Sequence, residues 1–162
     1  MLIPFIIICL LISPLLSAYI LLKLKVLNKN ILSVQKYACW GLGVTFFFFF
    51  IGHFVKTDDL VAMLPAWLPL RLPIIYFTGL LELAIAIALF SSQYQQSAAK
   101  LAIVVFIAFF PANIYAAIQS VGSGGHQWGP IYLLIRAPLQ IILIAWSYFL
   151  CCKANIIGAC KA

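Results

Sequence analysis

Apolar residues along this chain neither alternate with polar ones nor fall into a single helical stripe; they come in long unbroken runs. The hydrocarbon core of a bilayer is roughly 30 Å thick and a helix rises about 1.5 Å per residue, so a spanning helix needs about 20 apolar residues. Five stretches reach that length: 2–22, 37–55, 72–90, 101–120 and 131–150. Continuous hydrophobicity of this kind argues against membrane strands, which alternate. The prediction is an all-α membrane protein with five spans, in which short connections make neighbouring helices antiparallel.

One connection departs from ordinary loop chemistry. Leu60, Met63, Leu64 and Trp67 recur at i, i+3, i+4 and i+7, and Asp58 is placed to cap the start. Pro65 and Pro69 limit the length of any helix here. Segment 57–71 therefore reads as a short amphipathic piece lying at the interface, with Trp67 at headgroup level. It would serve as a lid over an external pocket or as a hairpin flattened onto the membrane.

Composition sharpens the picture. Of 162 residues, 66% are hydrophobic and 8% charged, against about 25% charged in a soluble domain. Ten bases and three acids cannot cover a water-facing surface, which excludes a soluble enzyme and a disordered chain. The net charge of +7 is no footprint for nucleic acid, because the bases lie between apolar runs. Their placement instead sets orientation. Lys23, Lys25, Lys29, Lys36, Lys100, Lys153 and Lys161 belong to the first and third loops and the tail, and only Lys56 and Arg71 to the second loop. The positive-inside rule puts the richer set in the cytoplasm, the N-terminus outside and the C-terminus inside. The first run has no basic n-region and no A-x-A site, so it reads as a retained anchor rather than a cleaved signal.

The cysteines, Cys9, Cys39, Cys151, Cys152 and Cys160, lack the spacing of a zinc site or a c-type haem attachment. Cys151–Cys152 is a candidate redox dithiol or acylation site, set against the plainer reading of two small apolar residues at a helix end. His53 and His126 both fall on the outer side, which leaves no midplane pair for a haem.

Ionisable groups inside hydrocarbon cost about 2.5–3.5 kcal/mol each and raise a functional question. Three occur: His53, Glu82 and Arg136. Counted from the outer helix ends, Arg136 lies about 8 Å deep, Asn113 about 10 Å and Glu82 about 15 Å. With His53, two residues from the outer end of its span, they come from four helices yet share the outer half. In a bundle they can converge on one site, with Thr78 one turn from Glu82 and Gln140 one turn from Arg136. An Arg136–Glu82 pair is the expected way to lower the cost of both charges. Tyr76, Tyr115 and Gln119 would line the opening. Pro111 and Pro138 would free backbone carbonyls at this level. The alternative is a structural polar network that fixes helix register and binds nothing.

With these residues in view, the chain resembles the DoxX family of small bacterial membrane proteins. The resemblance is carried by Gly52-His53-Phe54, by Leu64-Pro65-Ala66-Trp67-Leu68-Pro69 and by Thr78-Gly79-Leu80-Leu81-Glu82-Leu83. Phe110-Pro111-Ala112-Asn113-Ile114-Tyr115 and Arg136-Ala137-Pro138-Leu139-Gln140 continue it, across roughly residues 37–150. It implies a four-helix bundle in the bacterial inner membrane, to which the N-terminal span is an addition, and association with membrane oxidoreductase complexes. The leading expectation is a binding subunit for a lipophilic small molecule such as a quinone. His53, Tyr76, Thr78, Glu82, Asn113, Tyr115, Arg136 and Gln140 would be its ligand-binding candidates, and the aromatic run 47–50 a wall. No metal is called for, and electrons would come from a partner oxidoreductase subunit. The alternative is a non-catalytic scaffold or assembly factor for a partner membrane protein. A transporter ranks third, because the inner half has little polar lining; a homo-oligomer stays open.

Overall fold

A computed structural model describes residues 2–24, 33–121 and 126–153. Over these the chain is helical: α1 (Leu2–Lys23), α2 (Val34–Val55), α3 (Thr57–Ala62), α4 (Arg71–Phe90), α5 (Gln95–Gln119) and α6 (Leu133–Trp146). A 3-10 stretch, His126–Tyr132, leads into α6, and a π-helical stretch, Ser147–Lys153, continues it. Among the described residues, five helices are long and apolar enough to cross a membrane: α1, α2, α4, α5 and the continuous Trp128–Lys153. Lys25, Lys29, Cys160 and Lys161, used above for orientation and thiol chemistry, lie outside the described residues, as does the side chain of His126.

The helix ends differ from expectation for identifiable reasons. α2 starts at Val34 rather than at residue 37, because the Ser33 hydroxyl accepts a hydrogen bond from the Lys36 amide at 3.3 Å. That takes Lys36 into the helix, where its ammonium sits over the Trp40 ring at 5.1 Å. α5 starts at Gln95 rather than at residue 101. The Gln95 side chain folds back and donates to the Leu89 carbonyl at 3.0 Å, closing a tight turn after α4. In the α2–α4 connection, Asp58 does not cap. It stands with Asp59 in the first turn of α3, after Lys56. The helix stops at Ala62, and of the amphipathic set Met63 turns inward while Trp67 is 80% exposed. The exposed Lys56–Asp59 pair, at 3.7 Å, adds little stability.

Cross-helix contacts fix an antiparallel arrangement. On α2 and α4, His53 lies against Gly79, while Gly43 lies against Ala86 and Phe90. Gln35 donates to the Cys151 carbonyl and the Trp146 indole to that of Ala38, both at 3.1 Å, pinning the start of α2 to the end of the last span. Small residues let backbones approach, as expected where lipid is as apolar as the protein core. Gly41 is the tightest case, since a Cβ there would overlap the Leu11 carbonyl oxygen of α1. Ile7 and Leu11 of α1 join Leu42, Phe46, Ile85, Leu89, Phe106 and Leu139 in one core. Pro14 takes a donor from α1, and the Ser13 hydroxyl serves the Leu10 carbonyl so left over, at 3.0 Å.

Candidate functional site

The site is built where α2 and α4 come closest. Gly79 makes this possible: a Cβ would stand 2.9 Å from His53 Cβ. The imidazole can therefore lie flat on α4, between Thr78 and Glu82. His53 Nδ1 is 3.0 Å from Glu82 Oε2 and 3.1 Å from the Phe49 carbonyl oxygen. Its Nε2 is 3.3 Å from Thr78 Oγ1. Residue exposure is 8% for His53 and 4% for Glu82, so the contact is shielded from lipid and solvent alike.

Hydrogen-bond roles follow from the surroundings of the ring. The Thr78 hydroxyl lies nearer to the Ile74 and Ile75 carbonyls, at 2.9 and 3.0 Å, and donates to them. Its oxygen is then left as an acceptor for an N–H on Nε2. Nδ1 faces two further acceptors, a carbonyl and a carboxylate. The arrangement is satisfied when one proton lies between Nδ1 and Glu82, as imidazolium with carboxylate or as neutral imidazole with carboxylic acid. A single N–H cannot point along both directions, and Glu82 Oε2 has no well-aligned donor. The Thr57 hydroxyl, donating to the His53 carbonyl at 2.6 Å, ties α3 to the same turn.

This corrects the expected Arg136–Glu82 pair. Glu82 is held by His53 because α2, not α6, reaches it across Gly79. Arg136 interacts with Tyr132, which caps the start of α6 at the end of the 3-10 stretch, and lies near enough to Glu82 for the two charges to interact without forming an ion pair. Its Nε is buried and has no hydrogen-bond partner. Asn113 and Gln140 are buried but committed elsewhere. Asn113 donates to the Phe109 carbonyl at 3.0 Å, and Gln140 to the Phe106 carbonyl of α5, beside the one that Pro111 leaves without its helical donor. Tyr76 is exposed, with its ring 5.6 Å from that of Phe54. Tyr115 is half-buried on α5, and Gln119 is exposed at the helix end. The phenylalanine run does not form a wall of the site. Phe46 enters the core against Phe106, with ring centroids 5.1 Å apart, while Phe47, Phe50, Phe54 and Tyr76 make a ladder of ring contacts on the outside. Thus His53, Thr78 and Glu82 meet directly, with Arg136 beside them.

Sequence reading missed Thr57, Gly79 and Tyr132. A threonine four residues beyond a membrane histidine is a signal for the first, and a glycine one turn from a membrane carboxylate for the second. Cys39, Cys151 and Cys152 are buried in the core at the opposite end, and Cys9 is exposed.

Residues 42–151 match a family described only as a domain of unknown function (DUF8561). The chain belongs to the DUF8561 family. The match takes in the whole His53–Glu82–Arg136 site and leaves α1 and the first turns of α2 outside it. No curated protein and no solved structure is significantly similar to the chain.

Proposed function

We propose that this protein is a DoxX-like subunit of the bacterial cytoplasmic membrane that binds a lipophilic small molecule, such as a quinone, through the polar cluster at the α3 end of the bundle. The observation that carries the reading is the buried His53–Glu82 couple with the unpartnered Arg136 Nε beside it. Buried charges are costly in hydrocarbon and mark binding or proton-relay sites in membrane proteins. The α3 end is the outer one by the lysine distribution, so α3 and Trp67 would cover the site from outside. The Arg136 guanidinium would hold a carbonyl or anionic oxygen, and the His53–Glu82 couple would exchange a proton with it. Any redox step would take its electrons from a partner subunit.

The test is mild extraction of the full chain, followed by solvent extraction and mass spectrometry of what co-purifies. A stoichiometric lipophilic compound that is lost in Arg136→Ala supports binding; an empty cluster in the wild-type protein defeats it. A second reading, a scaffold for a partner membrane protein, draws on the exposed ring ladder from Phe47 to Tyr76. It requires a co-purifying partner and full function in Glu82→Gln, and fails if that near-isosteric change abolishes function.

A further inference from the structure

A second cluster of reactive side chains lies at the end of the bundle opposite the polar site. Gln35, Ala38 and Cys39 stand at i, i+3 and i+4 and so share one face of α2. The last span is fastened to that face twice. Gln35 Nε2 donates to the Cys151 carbonyl and the Trp146 indole to the Ala38 carbonyl, each at 3.1 Å. Beside these clamps Cys39 and Cys151 are fully buried, at 0% exposure, in the common core. Their thiols hydrogen-bond to each other across the two helices. Cys152 is also buried, and its charged neighbour is Lys100 of α5.

This geometry separates two possible dithiols. Successive residues of a helix point in well-separated directions around its axis, which sets the vicinal thiols Cys151 and Cys152 apart. Cys39 and Cys151 already face each other. A disulfide bond is about 2 Å long, so two thiols in mutual contact need only a small approach while the backbone clamps stay in place. Cys151 moreover belongs to the π-helical stretch Ser147–Lys153, a geometry that recurs at functional sites. Burial also selects the oxidant. A charged disulfide from water has no path to these sulfurs, whereas a small neutral peroxide passes through apolar surroundings.

We propose that Cys39 and Cys151 are a redox-active pair that closes into a cross-helix disulfide when a small uncharged peroxide reaches it, locking the start of α2 to the end of the last span. One sulfur attacks the peroxide and breaks its O–O bond, giving a sulfenic acid and, from hydrogen peroxide, one water. The other sulfur then attacks the sulfenic sulfur and displaces its oxygen as a second water. Two S–H bonds are lost, one S–S bond forms, and the peroxide is reduced. The inference is independent of the binding role proposed above.

The experiment treats the full-length protein in phosphatidylcholine nanodiscs with hydrogen peroxide, blocks remaining thiols with N-ethylmaleimide and digests without reduction. Mass spectrometry should find the Cys39 and Cys151 peptides joined, two hydrogens short of their sum, with fragmentation placing the bond at Cys151. Dithiothreitol should release them, and the oxidised protein should melt at a higher temperature than the reduced one. The cross-link should persist in Cys152→Ser and Cys9→Ser and vanish in Cys39→Ser and Cys151→Ser. Oxidised glutathione, a charged disulfide, should leave the wild-type pair reduced. Because the wild-type fragmentation locates the bond, a serine variant that fails to fold leaves the test intact. A bond to Cys152 instead of Cys151, over-oxidation to sulfonic acid without cross-linking, or thiols that stay free in peroxide overturns the proposal. Equal cross-linking by oxidised glutathione overturns the selection of a neutral oxidant.

Discussion

The two halves of this bundle hold their helices together by different chemistry. Towards the lysine-rich end, neutral side chains reach backbone carbonyls of other elements: Gln35 to Cys151, Trp146 to Ala38 and Gln95 to Leu89. Trp40 is the exception there, its indole N–H buried without an acceptor. Towards the α3 end, a carboxylate, an imidazole and a guanidinium are placed within one cluster. The neutral half shows that tight packing and ordinary hydrogen bonds are enough to assemble this fold in lipid. The charges of the other half are therefore not needed for cohesion, and a buried ion pair is in general weak evidence of stability. Under the proposed function, their use lies in what they can bind or exchange.

That contrast can be broken most severely at Glu82. Glu82→Ala removes the group facing His53 and leaves Arg136 further from any anion, so it should cost about 3–5 kcal/mol, read as a fall in the thermal midpoint of the detergent-solubilised protein. Replacing both partners, as in His53→Leu with Glu82→Leu, should recover most of that loss, because a well-packed apolar pair is often no less stable. A double variant as unstable as the single one would show that the couple is not the source of the cost. In the neutral half the hardest blow is Gly41→Ala, whose Cβ overlaps backbone of α1. Overpacking of this kind costs about 1–3 kcal/mol, here towards the upper end, and proteolysis should then release α1 more readily.

Gly79→Ala should cost less, about 1–2 kcal/mol, since the clash at 2.9 Å is with a side-chain carbon of His53. Its sharper readout is ligand binding, which should suffer more than stability does because the imidazole is pushed off Glu82. Ser33→Ala removes the α2 cap and should lower stability by about 1 kcal/mol, with no effect at the distant site. Smallest of all, Leu70→Gly should raise stability by up to about 1 kcal/mol, because Leu70 holds a left-handed φ of 56° before α4. A loss of stability in that variant would mean that the exposed Leu70 side chain contributes packing that outweighs its backbone strain.

Much of this architecture is legible in the sequence because apolar run length is an almost direct measure of bilayer thickness. The ends of α2 and α5 are less so. Ser33 and Gln95 act through single hydrogen bonds that polar residues near an interface also make with water. The charged residues stand out at once in such apolar surroundings, and their gathering towards one end follows from counting along antiparallel helices. Their pairing does not. Whether Glu82 meets His53 or Arg136 depends on how far each helix is turned about its axis, and that is set by where a neighbour can approach most closely. Gly79 decides it by lacking a side chain, a feature that hydrophobicity does not register.

The π-helical turn at Ser147–Lys153 has a consequence for how the last span tolerates change in length. A π turn winds wider than an α turn and so takes up an additional amino acid per revolution. Removing one position between Tyr148 and Leu150 would let the coil relax to regular α-helix, leaving everything before it undisturbed. Downstream, Cys151 and Cys152 would keep nearly the same face, because the turn that loses a residue also winds more tightly. The end of this span thus carries a built-in allowance: length can be trimmed there without reaching the ionic cluster and with little change in the face the two thiols present.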